Sequence, residues 1–273
     1  QLFQYAFLNT IANKNEKIFT TNMEQFINRF DISNLNFKHL SLGKYSLFIL
    51  RKIVKPYFLI LLCKLKIISY IKQNRNETSS LPTYIKTKGL LSITYVETDF
   101  FQSEKFFEKE KVDFKLKEKF LIEAKKILDQ IPSKYTKVFV HVRRGDYIFE
   151  PYLGENGIDL PKSYFEKAMS QISKTIENSY FVFLLVDYGF VVWCFNHIEN
   201  KIISKNSMAT DLAIMSSCEY GIVSNSSFSW WGAYMMENKK EVIFPKFWYG
   251  WKHKIESHVD IQPKWAKIVE VNK

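Results

Sequence analysis

The chain has 273 residues, 47% hydrophobic and 25% charged, which suits one large domain or two modest ones and excludes extended disorder. A formal net charge of +11 favours an anionic partner: nucleic acid, an acidic membrane surface or a phosphorylated substrate. Three cysteines (Cys63, Cys194, Cys218) and five histidines show no disulfide framework and no metal-ligand spacing, so a reducing compartment and no metal site are expected.

In chain order, Gln1–Phe7 lacks the form of a signal peptide, and the chain is expected to start inside an element. Residues 1–13 predict an amphipathic helix with Leu2, Phe3, Ala6 and Phe7 on one side. Residues 15–40 are mixed and polar, without a clear period. Lys44–Ile71 is basic and apolar at once. Its uncharged runs fall short of the roughly 18 residues of a membrane span. Two readings stay open: a basic amphipathic helix lying on a membrane surface, or a buried helical face with solvated lysines. Residues 73–82 predict a polar loop and 91–97 a strand. Residues 114–131 predict a helix stopped by Pro132, where a domain boundary is placed, giving domains 1–133 and 134–273.

The second half alternates. Strands are predicted at 138–142, 180–186, 221–223 and 241–244, and helices at 161–176, 208–218 and 228–236. Repeated β-α units imply an α/β fold with a parallel, Rossmann-like sheet.

Two turns in this half carry chemistry. His141-Val142-Arg143-Arg144-Gly145-Asp146-Tyr147 ends an apolar strand, where open α/β sheets place ligands. Arginine offers a fixed fork of donors that matches phosphate oxygens, and Gly145 permits a sharp turn. The bland alternative is a surface turn with Arg144 and Asp146 paired in solvent. Ser224-Asn225-Ser226-Ser227-Phe228-Ser229-Trp230-Trp231-Gly232-Ala233 joins a short strand to a helix. Its Asn and Ser suit an N-cap, and a helix N-terminus attracts anions. The bland alternative here is a structural cap beside two packed tryptophans. Together the two turns suggest a nucleotide diphosphate held between them.

These residues resemble the α-1,2-fucosyltransferases of glycosyltransferase family 11. His141–Tyr147 resembles the family's H-x-R-R-G-D-Y. Asp211-Leu212 through Cys218, followed by Asn225–Ala233, resembles D-L-x-x-M-x-x-C followed by N-S-S-F-S-W-W. Gln1–Phe7 resembles the end of a glycine-rich N-terminal motif, Phe101–Phe106 resembles F-Q-S-E-K-Y-F, and Pro245–Trp248 resembles P-x-x-W. The resemblance implies a GT-B enzyme, with two Rossmann-like domains facing across a cleft. It would use GDP-fucose as donor and a terminal galactose as acceptor, invert the anomeric centre and need no metal or other cofactor.

On that reading Arg143 and Arg144, with donors at Asn225, Ser226 and Ser227, meet the charge of the leaving diphosphate. At least one arginine holds the β-phosphate; the other is open to a structural ion pair. The transfer also needs a base. Asp146 is the first candidate, with Glu150 and His141 behind it, and orienting an arginine is Asp146's other role. Asp211 either holds guanine or ribose or caps its helix. The sequence departs from the family at two places. The glycine-rich piece before Gln1 is absent, and Phe183–Gly189 keeps only Asp187 of an F-S-D-D segment. The alternative reading is therefore a weakened or inactive member serving as a basic peripheral membrane or glycan-binding protein. Nucleic acid is not expected, because the lysines spread over many helices. A cytoplasmic site, or peripheral contact with the anionic cytoplasmic face of a membrane, is expected.

Overall fold

Apolar strands alternating with helices build one six-stranded sheet in the second half of the chain, as a computed structural model shows. It describes all residues except 14, 22, 34–36, 75–82, 113, 186, 258 and 273. The chain divides into two units, 1–113 and 114–273.

In the second unit, α1 (Glu118–Leu128) is followed by β1 (Thr136–Val142), α2 (Lys162–Thr175), β2 (Ser179–Leu185), α3 (Tyr188–Phe195) and β3 (Lys201–Ile203). Then come α4 (Met208–Ser216), β4 (Tyr220–Ile222), α5 (Ser227–Tyr234), β5 (Glu241–Pro245) and β6 (Lys267–Val269). The strand order is β3-β2-β1-β4-β5-β6, and every pairing is parallel. This is the doubly wound order, whose direction of progression reverses between β1 and β4.

Period-2 alternation sends the residues of β1 to opposite faces. Val138, Val140 and Val142 pack with Tyr164, Phe165 and Ala168 of α2 and Phe195 of α3. Phe139 and His141 take the other face. There Gly221, opposite Phe139 in register, has no side chain to displace the ring: a Cβ would stand 2.1 Å from Phe139 Cε1. The Tyr164 hydroxyl donates to Val223 O at 2.7 Å and ties α2 to the end of β4.

The expected strands and helices of this half are present within a few residues. The expected boundary at Pro132 shifts. Helix α1 packs on α4, buries Ala124 and Leu128, and accepts a hydrogen bond at Glu123 Oε2 from Thr210 Oγ1 (2.6 Å), so it belongs with the second unit. Three elements, α3, β3 and β6, escaped the sequence reading. Helix α3 (YGFVVWCF) is apolar all round and shows no amphipathic period.

In the first unit, the starting helix spans Leu2–Ile11. Its Phe7 stacks on Phe101 at 4.0 Å and meets Phe106 edge-on at 6.0 Å, so two motifs far apart in sequence share one core. A three-stranded sheet joins Ser69–Asn74 to Thr83–Thr87 and Thr94–Val96, and Ile18–Thr20 pairs with Phe37–His39. The stretch expected at 91–97 thus forms a strand only at 94–96. Most of the loop expected at 73–82 lies outside the described residues.

Candidate functional site at the strand-order reversal

Strand order reverses between β1 and β4, where open α/β sheets place ligands, and both motif turns follow the ends of these two strands. His141 lies on the last turn of pleat in β1. It is 3% exposed, and its Nδ1 shares a hydrogen bond with Ser224 Oγ at 2.7 Å. Phe228 of α5 lies beside its ring, centroids 5.5 Å apart. Burial, and then the Arg143 charge, push its pKa down to about 3. The imidazole is therefore neutral and locked, in a bridge between the two strand ends.

The twin arginines part at the strand's end. Arg144 turns toward α3, its guanidinium 4.0 Å from the Phe190 ring centroid. Its Nε lies 3.2 Å from Asp159 Oδ2 and 3.9 Å from Asp187 Oδ2, so two carboxylates and an aromatic face hold it. Arg143 has one carboxylate. Its Nη2 donates to both oxygens of Asp146, at 2.7 and 3.0 Å, and its guanidinium lies 4.9 Å from the Tyr147 ring. The surface pair expected between Arg144 and Asp146 is thus an Arg143–Asp146 pair. Asp146 is well exposed, its side chain at 62%, against 29% for Arg143. Gly145, at φ +68, supplies the left-handed turn that brings Asp146 back over Arg143. Arg143 Nε and Arg144 Nε are both buried without a hydrogen bond.

After the end of β4, Ser226 caps α5 by accepting from Phe228 N at 3.3 Å, and Ser227 opens the helix half-exposed. Asn225 is fully buried. Its Nδ2 donates to Ile158 O at 2.6 Å, while its Oδ1 meets no partner. Asn225 thus anchors the segment carrying Asp159. Trp230 and Trp231 are buried, as the bland reading held, and Trp230 Nε1 donates to Ile261 O at 2.7 Å.

Asp211 stands in the first turn of α4, 8% exposed, and accepts a hydrogen bond from the Ser204 hydroxyl. Burial raises its pKa to about 6, against the Ser204 bond. The cap of α4 is Ser207, which accepts from Thr210 N, so Asp211 does not perform that role. Asp187 caps α3 by accepting from Phe190 N at 3.0 Å. Glu150 follows the turn as an exposed residue.

Four residues of this neighbourhood escaped the sequence reading. Asp159 and Phe190 hold Arg144, and no spacing signalled either one. Tyr249 shares a hydroxyl–hydroxyl bond with Tyr147 at 3.1 Å, and Trp251 Nε1 donates to Ile158 O at 3.3 Å. Both follow the Pro245–Trp248 motif, in which Phe247 and Trp248 adopt φ of +64 and +51, a costly turn for side-chain-bearing residues. That turn carries the chain from β5 to the site, the signal latent in the motif. Among the described residues, no three His, Cys, Asp or Glu side chains cluster as a metal site.

Residues 1–269 match Glycosyl transferase family 11. The chain is 29% identical over 185 residues to an alpha-1,2-colitosyltransferase of Escherichia coli, covering 62% of this chain and 61% of that protein. It is 31% identical over 126 residues to the O-antigen biosynthesis glycosyltransferase WbnK of Escherichia coli, covering 44% and 42%. Over 108 residues it is 29% identical to galactoside alpha-(1,2)-fucosyltransferase 2 of Mus musculus, covering 37% and 30%. The matches thus span roughly a third to three-fifths of these curated relatives' lengths. A solved structure of POFUT1 in complex with GDP aligns at a TM-score of 0.40 and 12% identity, covering 79% of this chain and 82% of that one.

Proposed function

The chain belongs to glycosyl transferase family 11, and we propose that it moves fucose from GDP-fucose to the 2-hydroxyl of a terminal galactose with inversion. The observation that carries this reading is the pair of turns at the strand-order reversal. Arg143 follows the end of β1, and the Ser226-capped start of α5 follows the end of the adjacent β4. A diphosphate needs fixed positive groups, and a guanidinium after one strand end with a helix N-terminus after the adjacent strand end supplies them.

On this reading the two arginines do different work. Arg144, between Asp159, Asp187 and Phe190, is the structural one. Arg143, with a single carboxylate partner that is itself exposed, is the phosphate-binding one. When Arg143 turns its fork to the β-phosphate, Asp146 loses its partner and is free to take the acceptor proton. Departure of GDP leaves oxocarbenium-like character on the sugar, and the arginine's charge stabilises the leaving group. His141, neutral and buried, positions Arg143 and the Ser224 turn and exchanges no proton. This reading expects no metal.

The relatives named above include a colitosyltransferase as well as a fucosyltransferase, so the donor sugar is the variable to vary. The test is calorimetric binding of GDP to the chain in EDTA, then incubation of GDP-linked sugars with β-galactosides and linkage analysis of the product. GDP binding, with an α-1,2-fucosylated galactoside formed, supports the reading. A folded chain that binds no GDP, or that forms another linkage, overturns it.

A further inference from the structure

Between Asp31 and Glu77 the sequence holds nine Lys and Arg and no Asp or Glu. Its middle forms three consecutive helical stretches, Lys44–Ile49, Leu50–Leu59 and Ile60–Lys64. The middle one has the wider i→i+5 winding, which brings residues four apart almost above one another. Ile53, Tyr57, Leu61 and Leu65 recur at that spacing, with Tyr45 two steps before them, and all five are exposed, Tyr45 at 78% and Tyr57 at 73%. An adjacent row at the same spacing holds Lys44, Phe48, Lys52 and Lys64, also exposed. The stripe continues past the helix. Leu90 N donates to Lys66 O at 3.0 Å and Leu91 N to Ile67 O at 2.9 Å, which sets exposed Leu90 and Leu91 at its end. Among the described residues of the three helical stretches only Cys63 is buried, so these stretches do not form the buried face with solvated lysines.

We propose that this stripe is a docking face for an anionic lipid surface, Tyr45, Tyr57 and Leu61 entering the headgroup boundary and the lysine row meeting lipid phosphates. The charge pattern selects this occupant. A symmetric contact with a second copy sets the same patch against itself, and this one would oppose cations to cations with no acid in the segment. Aliphatic and aromatic side chains edged by lysines match the interfacial helix pattern, in which apolar burial and attraction to anionic headgroups add. Among the described residues no helix is long and apolar enough to cross a membrane. The inference stands independently of the transferase reading.

The test is co-sedimentation of the full chain with vesicles of phosphatidylcholine, with and without phosphatidylglycerol, over a salt series. Binding to the phosphatidylglycerol vesicles alone, weakening as salt rises, supports the proposal. The variant K44Q/K52Q/K64Q, checked for fold by circular dichroism, should partition on the order of tenfold or more weakly, and so should Y57S/L61S. A chain that stays in the supernatant at low salt overturns the proposal. So does equal binding to neutral vesicles, or a dimer in analytical ultracentrifugation that Y57S/L61S dissociates. The salt series needs no variant, so the outcome does not depend on their folding.

Discussion

His141 Nδ1 and Ser224 Oγ lie 2.7 Å apart, a buried hydrogen bond across the two strand ends that border the site. Ser224 also accepts at its carbonyl from Ser229 Oγ, so the bridge extends into the first turn of α5. Replacing Ser224 by Ala leaves a buried ring nitrogen unpaired, which costs about 1–3 kcal/mol. The urea midpoint of S224A should fall accordingly, with an unchanged m-value, and GDP binding should weaken because the helix start is no longer fixed against β1.

The arginines should separate in experiment. R143A is expected to lose GDP affinity by about tenfold to a hundredfold, the worth of a charge-assisted hydrogen bond, at nearly unchanged stability. R144A leaves Asp159 and Asp187 without their cation and should lose about 1–2 kcal/mol of stability. Calorimetric titration with GDP and urea unfolding on both variants check this; equal loss of GDP binding with equal stability would contradict the division of roles.

Asp146 pairs with Arg143 in the unliganded site, so D146N should release the arginine. The expected result is a kcat lowered by on the order of 10²–10⁴ while GDP binds as well as before or more tightly. A variant with wild-type kcat would remove Asp146 as the base.

Two buried groups give opposite pH signatures. His141 titrates near 6.5 when unfolded but is pushed to about 3 in the fold, so the unfolded chain binds the extra proton between these values. Its contribution is whole above pH 6.5 and drains as pH falls toward 3. Asp211 is raised from 3.8 to about 6, so the folded chain binds the extra proton there, and the cost of its burial is present above pH 6 and relieved toward 3.8. H141Q should flatten the acid limb of the stability curve. D211N should stabilise above pH 6 and lose that advantage below 3.8. Urea midpoints across pH measure both.

Gly221 faces the Phe139 ring, and an added Cβ would meet Cε1 at 2.1 Å and Cζ at 2.3 Å. G221A is expected to cost about 1–3 kcal/mol or more by overpacking. The double variant G221A/F139L should recover part of that loss in thermal unfolding, because the smaller side chain vacates the space.

Much of this protein is local in its causes, and the sequence alone determined that part. The strand-turn-helix alternation of the second half, the glycine turn at Gly145 and the Ser226 cap follow from periodicity, backbone freedom and capping chemistry, which act over a few residues. The pairing of distant groups was decided only in three dimensions. Arg143 and Arg144 are neighbours in sequence with the same chemistry. The pleat and the turn after it send one to Asp146 and the other to Asp159, Asp187 and Phe190, whose spacing along the chain carries no signal. Likewise His141 reads as a titrating group beside two arginines, and burial against Ser224 and Phe228 removes its charge. Desolvation and long-range contact depend on which elements pack together, and that is set by the whole sheet rather than by any one stretch of sequence.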